Sequence, residues 1–271
     1  MSNSPFLQQA ILDSLEDFLI QKEATILNKD PDALHRLRVS GLKIRIRLWS
    51  CKLLFPMREY NKIKKEIHNV CKSLNPARDL DTQIYLLLKL KAEKRVIKYL
   101  KDQRIKLQPQ IVKDLARIDR LKLRERIEKC LNNSKALLDN QTLLEISKGK
   151  LHKKLKKLLS YAHGVNYPTK LNRLHSLRMA AKHLRYTLEL FQPVYAKGLS
   201  SFISNARWIQ RTLGDMRNYL ILSRCRALNN PQLKNRLISL TNKSYRRFAE
   251  IWKNQSIWRD LNTLINAEKT F

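Results

Sequence analysis

Apolar residues recur along this chain at three- and four-residue intervals, and the pattern breaks at prolines. Phe6, Leu7, Ile11, Leu15, Phe18 and Leu19 fall on one side of a helix, which predicts a first helix over about residues 4–28. Asp30 and Pro31 signal the next start, because a carboxylate caps free backbone N–H groups and proline fits a first turn. That helix is expected to run to about Leu54 and stop at Pro56. Further helices are expected over about Met57–Leu74, about Arg78–Lys106 and about Pro109–Leu138. No segment sustains the alternation of a strand. With only five glycines and eight scattered prolines, the chain is predicted to be all-α.

The pattern then starts again. LHRLRVSGLKIRIRLWSC at Leu34–Cys51 is matched by LHSLRMAAKHLRYTLELF at Leu174–Phe191, 140 residues on. His35 pairs with His175, Leu37 with Leu177, Arg38 with Arg178, Ile44 with Leu184, and Arg45 with Arg185. Each copy is followed by a proline, Pro56 and Pro193. Downstream, SLNPARDLD (Ser73–Asp81) aligns with TLGDMRNYL (Thr212–Leu220) at an offset of 139, pairing Leu74 with Leu213 and Arg78 with Arg217. Two unlike motifs at almost one offset predict a duplicated helical bundle. Residues 1–271 read as one domain of two repeats, about 1–138 and 139–271.

Charge changes the picture. Lys and Arg total 55 against 23 Asp and Glu, a formal net charge of +32. Such an excess repels itself, and an anionic partner relieves the repulsion. Nucleic acid, an acidic membrane surface and inorganic polyanions are all candidates. No apolar run approaches the roughly 20 residues of a membrane-spanning helix. The N-terminus lacks the basic segment followed by an apolar run of a secretory signal. The four cysteines form no CxxC pair and fit free thiols in a reducing cytoplasm.

The charges are sorted by face. In the second copy Leu177, Leu184, Leu188 and Phe191 form one stripe, and His175, Arg178, Lys182 and Arg185 form the opposite one. The first copy sets Leu37, Ile44 and Leu48 against His35, Arg38 and Arg45, with Leu42 in place of Lys182. Lys43 and Arg47 lie off the stripe and are expected to extend its basic rim. On the following helix Lys72 aligns with Arg211 and His68 with Arg207, while Lys65 aligns with Ser204. Arg78 and Arg217 are expected just beyond. A solvated face usually mixes in acids at i,i+4. Neither stripe contains one, although Glu189 lies at the edge of the second. Arg offers a planar fork for phosphate oxygens, Lys a point charge, and His a neutral or cationic donor. The arrangement therefore predicts an anion-binding surface.

Other chemistries find less support. Asp79 and Asp81 read as a salt-bridged helix start rather than metal ligands, since the second copy has Asn218 and Leu220 there. His35 and His175 have no ExxH or HxxxH neighbours. No P-loop, HExxH or repeated acidic cluster accompanies the stripes, so no enzyme activity, metal or cofactor is expected. Nucleic-acid binding is the alternative. Single-strand binders interleave aromatics with basic residues, and here only Tyr186 and Trp208 lie near the basic helices. No helix-turn-helix or zinc-finger spacing is evident.

These repeated motifs resemble the CHAD domain, the conserved histidine α-helical domain, whose pattern is roughly LHxLRVxxRRLRxxLxxF, occurring twice. The resemblance runs from the first helix to about Trp258. It implies two pseudo-symmetric antiparallel helical bundles facing each other around a central basic cleft or pore. It also implies binding of inorganic polyphosphate, association with polyphosphate granules in the cytoplasm, and basic roles for His35, Arg38, Lys43, Arg45, His175, Arg178, Lys182, His183 and Arg185. Leu42 departs from the pattern and removes one expected anion contact, and Asn218 departs at a structural pair. Some relatives carry a fused CYTH triphosphatase with an ExExK signature, which is absent here; ERIEK at Glu125–Lys129 has the wrong spacing. The expected site is therefore His35, Arg38, Lys43, Arg45, Lys65, His68, Lys72, Arg78, His175, Arg178, Lys182, His183, Arg185, Arg207, Arg211 and Arg217.

Overall fold

The computed structural model describes residues 6–134, 139–161, 171–195, 198–225, 227–253 and 256–267. Among them every regular element is helical. The chain divides into two compact units, Met1–Asp139 and Asn140–Phe271.

The first unit is built on a hairpin of α1 (Phe6–Leu27) and α2 (Ala33–Ser50). Side-chain bonds show that the two run antiparallel. Arg36, early in α2, donates to Gln21 late in α1, while Arg47 donates to the Ala10 carbonyl and Ser14 early in α1. Leu7, Ile11, Leu15 and Phe18 of α1 close onto Leu37, Ile44 and Leu48 of α2, all essentially solvent-free. Burying a side chain of this size contributes roughly 1.5–3 kcal/mol. Asp30 does not cap α2, which begins two residues beyond Pro31; its carboxylate accepts the Asp32 N–H at 2.9 Å and pairs with Arg36.

Next come a short 3-10 turn at Lys52–Leu54 and α3 (Met57–Ser73), which packs on α2. Gly41 permits this close approach. A Cβ there would lie 2.4 Å from Cys71 Sγ and 3.1 Å from the Phe18 ring.

Two expected long helices are each broken. The segment expected over Arg78–Lys106 is α4 (Asn75–Lys89) and α5 (Lys94–Lys106), folded against one another. The segment expected over Pro109–Leu138 is α6 (Gln108–Arg120) and α7 (Leu123–Asn132), with residues 135–138 outside those described. Lys91 and Lys122 cause the breaks. Both take left-handed backbone conformations, with φ of 53° and 45°, which end an α-helix. The pieces are tied by charge. Arg104 of α5 donates to Asp81 of α4 at 2.8 Å, Lys22 of α1 pairs with Asp119 of α6, and Arg126 of α7 pairs with Glu59 and Glu66 of α3 at 3.0 and 2.8 Å.

The second unit comprises α8 (Asn140–Leu159), α9 (Leu171–Phe191), α10 (Ser200–Ser223), α11 (Pro231–Lys253) and α12 (Ser256–Ala267). α9 lies between α8 and α10, and α11 covers the other side of α10. Phe248 of α11 stacks between Trp208 of α10 and Trp252, with ring centroids 6.4 and 5.6 Å apart. α10 is continuous where the first unit breaks into α3 and α4. Pro76 stands in the first turn of α4, and its aligned residue is Asp215, which lets the helix run on.

Candidate functional site: the basic helices

α2 is apolar on most of its circumference. Leu37, Leu42, Ile44, Ile46 and Leu48 are buried, so its cations emerge from the core with their stems covered. Leu42, the departure noted in the sequence, is part of that core. Arg38, Lys43 and Arg45 are half-buried, and His35 is exposed in the first turn.

Arg38 donates from Nη2 to Asn75 Oδ1 at 2.5 Å, while its Nε is buried without a hydrogen-bond partner among the described residues. Burial pushes its guanidinium pKa down, opposed by Cys71 and Asp79. Arg78 of α4 is lowered in the same way, by burial first, against the pull of Asp81, Asp32 and Asp79, with neighbouring Arg38 adding to the effect of burial. Two guanidinium groups thus share one half-buried corner, and neither forms a salt bridge among the described residues. A partly desolvated cation that no salt bridge pairs is stabilised by an added anion.

One helical repeat along, Arg45 Nε is also buried without a hydrogen-bond partner among the described residues. It faces His68 of α3. Burial lowers the His68 pKa below its ordinary value, and Arg45, Lys72 and Lys64 lower it further. The imidazole is therefore neutral at pH 7, ringed by three cations. Lys64, which the sequence pattern missed, also lies over the Tyr60 ring at 5.4 Å.

In the second unit the same corner is formed by His175, Arg178 and Arg217. Burial lowers the His175 pKa, followed by Arg217 and then Arg178. Arg178 lies across Gly214, where an added Cβ would be 3.1 Å from its Nε. Gly214 aligns with Asn75, the partner of Arg38, so both repeats seat their first arginine on the same position of the following helix. Arg217 lies within α10, not beyond a helix end, because α10 is unbroken. Lys182 and His183 are half-buried on α9.

Arg185 differs from Arg45. Its Nε donates to Gln210 at 3.0 Å, its Nη1 pairs with Glu189 at 2.7 Å, and its guanidinium covers the Tyr186 ring at 4.0 Å. Arg207 reaches the same Glu189 oxygen at 3.4 Å. Glu189 is therefore a member of the second site, legible in the sequence as an acid four residues after Arg185. Lys43, Lys65, Lys72 and Arg211 form no ion pair among the described residues, and the last three are exposed.

The basic rim expected at Arg47 is corrected by the structure. Arg47 turns inward to α1, where it satisfies a carbonyl and a hydroxyl. Asp81, read as part of a helix start, bridges α4 to Arg104 of α5; burial raises its pKa against the pull of Arg104 and Arg78. Among the described residues no group of His, Cys, Asp or Glu is placed to hold a metal, and no helix is long and apolar enough to cross a membrane. Cys51, Cys71, Cys130 and Cys225 are free thiols.

A comparison with known families matches residues 9–227 to the CHAD domain. The chain belongs to the CHAD family. The CHAD match takes in both basic helices and both trailing segments, ending before α11 rather than near Trp258. Among solved structures, the crystal structure of the CHAD domain from the plant Ricinus communis is similar over 99% of this chain and 93% of that one, with a TM-score of 0.65 and 20% identity. At that identity the likeness establishes a shared fold. No curated protein sequence matches this chain.

Proposed function

We propose that this CHAD protein is a non-catalytic binder of inorganic polyphosphate. The observation that carries the reading is the pair of buried, unpartnered Nε atoms of Arg38 and Arg45 on α2, beside Arg78 and the cation-ringed His68. A site that desolvates cations without pairing them in salt bridges is poised for an external anion. A chain of phosphates supplies one charge after another along such a helix. The family resemblance supports polyphosphate over other polyanions. So do the aromatics: Tyr186 is buried beneath Arg185 and Trp208 stacks on Phe248, so neither is offered as a platform for bases. Neutralising several phosphates releases counterions, so affinity falls steeply with salt.

The test replaces Arg38 and Arg178 together by Ala. With the fold intact by circular dichroism, the double variant should bind long-chain polyphosphate at least about tenfold more weakly, since each charge-assisted contact contributes roughly 1.5–3 kcal/mol. Undiminished binding by the folded variant would overturn the site assignment.

A further inference from the structure

The two basic helices carry the same residue types but not the same free charge. Arg45 and Arg185 are aligned, yet their surroundings are opposed. Arg185 has its Nε satisfied by Gln210 and an Nη by Glu189, and Glu189 also holds Arg207. At the aligned positions of the first unit stand Cys71 in place of Gln210, Trp49 in place of Glu189 and His68 in place of Arg207. None of these three offers Arg45 a carboxylate or an amide side chain. Its Nε is buried and unpartnered among the described residues, and its neighbours His68, Lys72 and Lys64 add no negative charge.

We propose that the two repeats bind polyanion unequally: Arg45 makes the stronger contact, and Glu189 sets the affinity of the second repeat by competing with phosphate for Arg185 and Arg207. This inference rests on the polyphosphate reading above. The chemistry is direct. A phosphate oxygen approaching Arg45 meets a guanidinium that forms no ion pair among the described residues. One approaching Arg185 or Arg207 meets donors already engaged and a carboxylate 2.7 Å from Arg185 that repels it. The second site binds only by displacing Glu189 or by sharing its cations. Leu42 therefore does not make the first repeat the weaker half, as the missing cation suggested.

The experiment measures dissociation constants for long-chain polyphosphate across a series of salt concentrations. Wild type is compared with Arg45→Gln, Arg45→Lys, Arg185→Gln, Glu189→Gln and the Glu189→Gln/Arg185→Gln pair. Arg45→Gln should weaken binding by about tenfold and lower the salt slope by roughly 0.7–0.9. Arg45→Lys should keep the slope and still lose affinity, because a point charge cannot replace the fork. Arg185→Gln alone should cost less than about threefold, since its charge is already paired. Glu189→Gln should strengthen binding by about three- to tenfold and steepen the slope, and in that background Arg185→Gln should cost about tenfold. Equal losses from Arg45→Gln and Arg185→Gln in the wild type, or an unchanged affinity and slope for Glu189→Gln, would overturn the inference while leaving polyphosphate binding standing. Wild-type protein that binds no polyphosphate at low salt would overturn both.

Discussion

Gly41 offers a sharp test of how the first site is assembled. Replacing it by Ala places a methyl 2.4 Å from Cys71 Sγ and 3.1 Å from the Phe18 ring, well inside the ordinary contact of about 3.5–4.0 Å. Either Cys71 leaves its rotamer or α3 moves away from α2. Overpacking of this kind costs about 1–3 kcal/mol, and the better helix propensity of Ala returns up to about 1 kcal/mol. The net expectation for Gly41→Ala is a loss of about 1–2 kcal/mol. Cys71→Ala removes the obstructing atom and leaves a small void, costing about 1 kcal/mol. The double variant should then be more stable than the sum of the two by at least about 1 kcal/mol, since the closer of the two contacts is gone and only the milder one with Phe18 remains. Urea unfolding of the four proteins gives the coupling energy. Hydrogen exchange resolved to residues 33–50 and 57–73 assigns it to α2 and α3. Because Arg45 of α2 and Lys72 of α3 both lie near His68 across this packed pair of helices, Gly41→Ala should also weaken polyphosphate binding, and the second substitution should restore it. Additive effects within about 0.5 kcal/mol would refute the close-approach argument.

Two further outcomes follow from the same geometry. His68 and His175 have lowered pKa values in the free protein, so the unfolded chain binds more protons below about pH 6.5 and the free fold loses stability as pH falls through that range. Bound phosphate reverses the bias, so polyphosphate affinity should rise between about pH 7.5 and 5.5, a profile that His68→Gln/His175→Gln should flatten; a parallel profile in that variant would remove both imidazoles from the site. Lys22 is only 3% exposed, and although burial works against its charge, Asp119 and Glu23 hold its pKa above the ordinary value. Asp119→Asn should therefore destabilise the α1–α6 junction by about 1–2 kcal/mol in thermal or urea unfolding, Glu23 retaining part of the charge, and no change in midpoint would contradict that role.

The helical class, the repeated motif and the basic stripes were all legible in residue spacing, because amphipathic helices write their period directly into the sequence. The helix breaks at Lys91 and Lys122 were not. Left-handed turns marked by glycine are easy to see, but here lysines adopt them, and lysine carries no such signal. Arg47 misled for a related reason. Its partners are a carbonyl and a hydroxyl, and uncharged partners leave no trace in a charge pattern. Glu189 was visible at i+4 from Arg185, yet only coordinates show that Gln210 and Arg207 converge on the same pair. The seating of Arg38 on Asn75 and of Arg178 on Gly214 needed the structure, since an amide and a glycine share no chemistry that an alignment would link.

The central claim is that this surface serves a bare phosphate chain rather than a nucleic acid. The most direct measurement is competition on the purified protein. Labelled long-chain polyphosphate is held at a fixed salt concentration, and unlabelled polyphosphate of defined lengths, single-stranded DNA or RNA, and duplex DNA are added at equal phosphate. Unlabelled polyphosphate should displace the label at concentrations at least about tenfold below any nucleic acid, with longer chains displacing better. Displacement by DNA or RNA as readily as by polyphosphate would contradict the account and make nucleic acid the ligand.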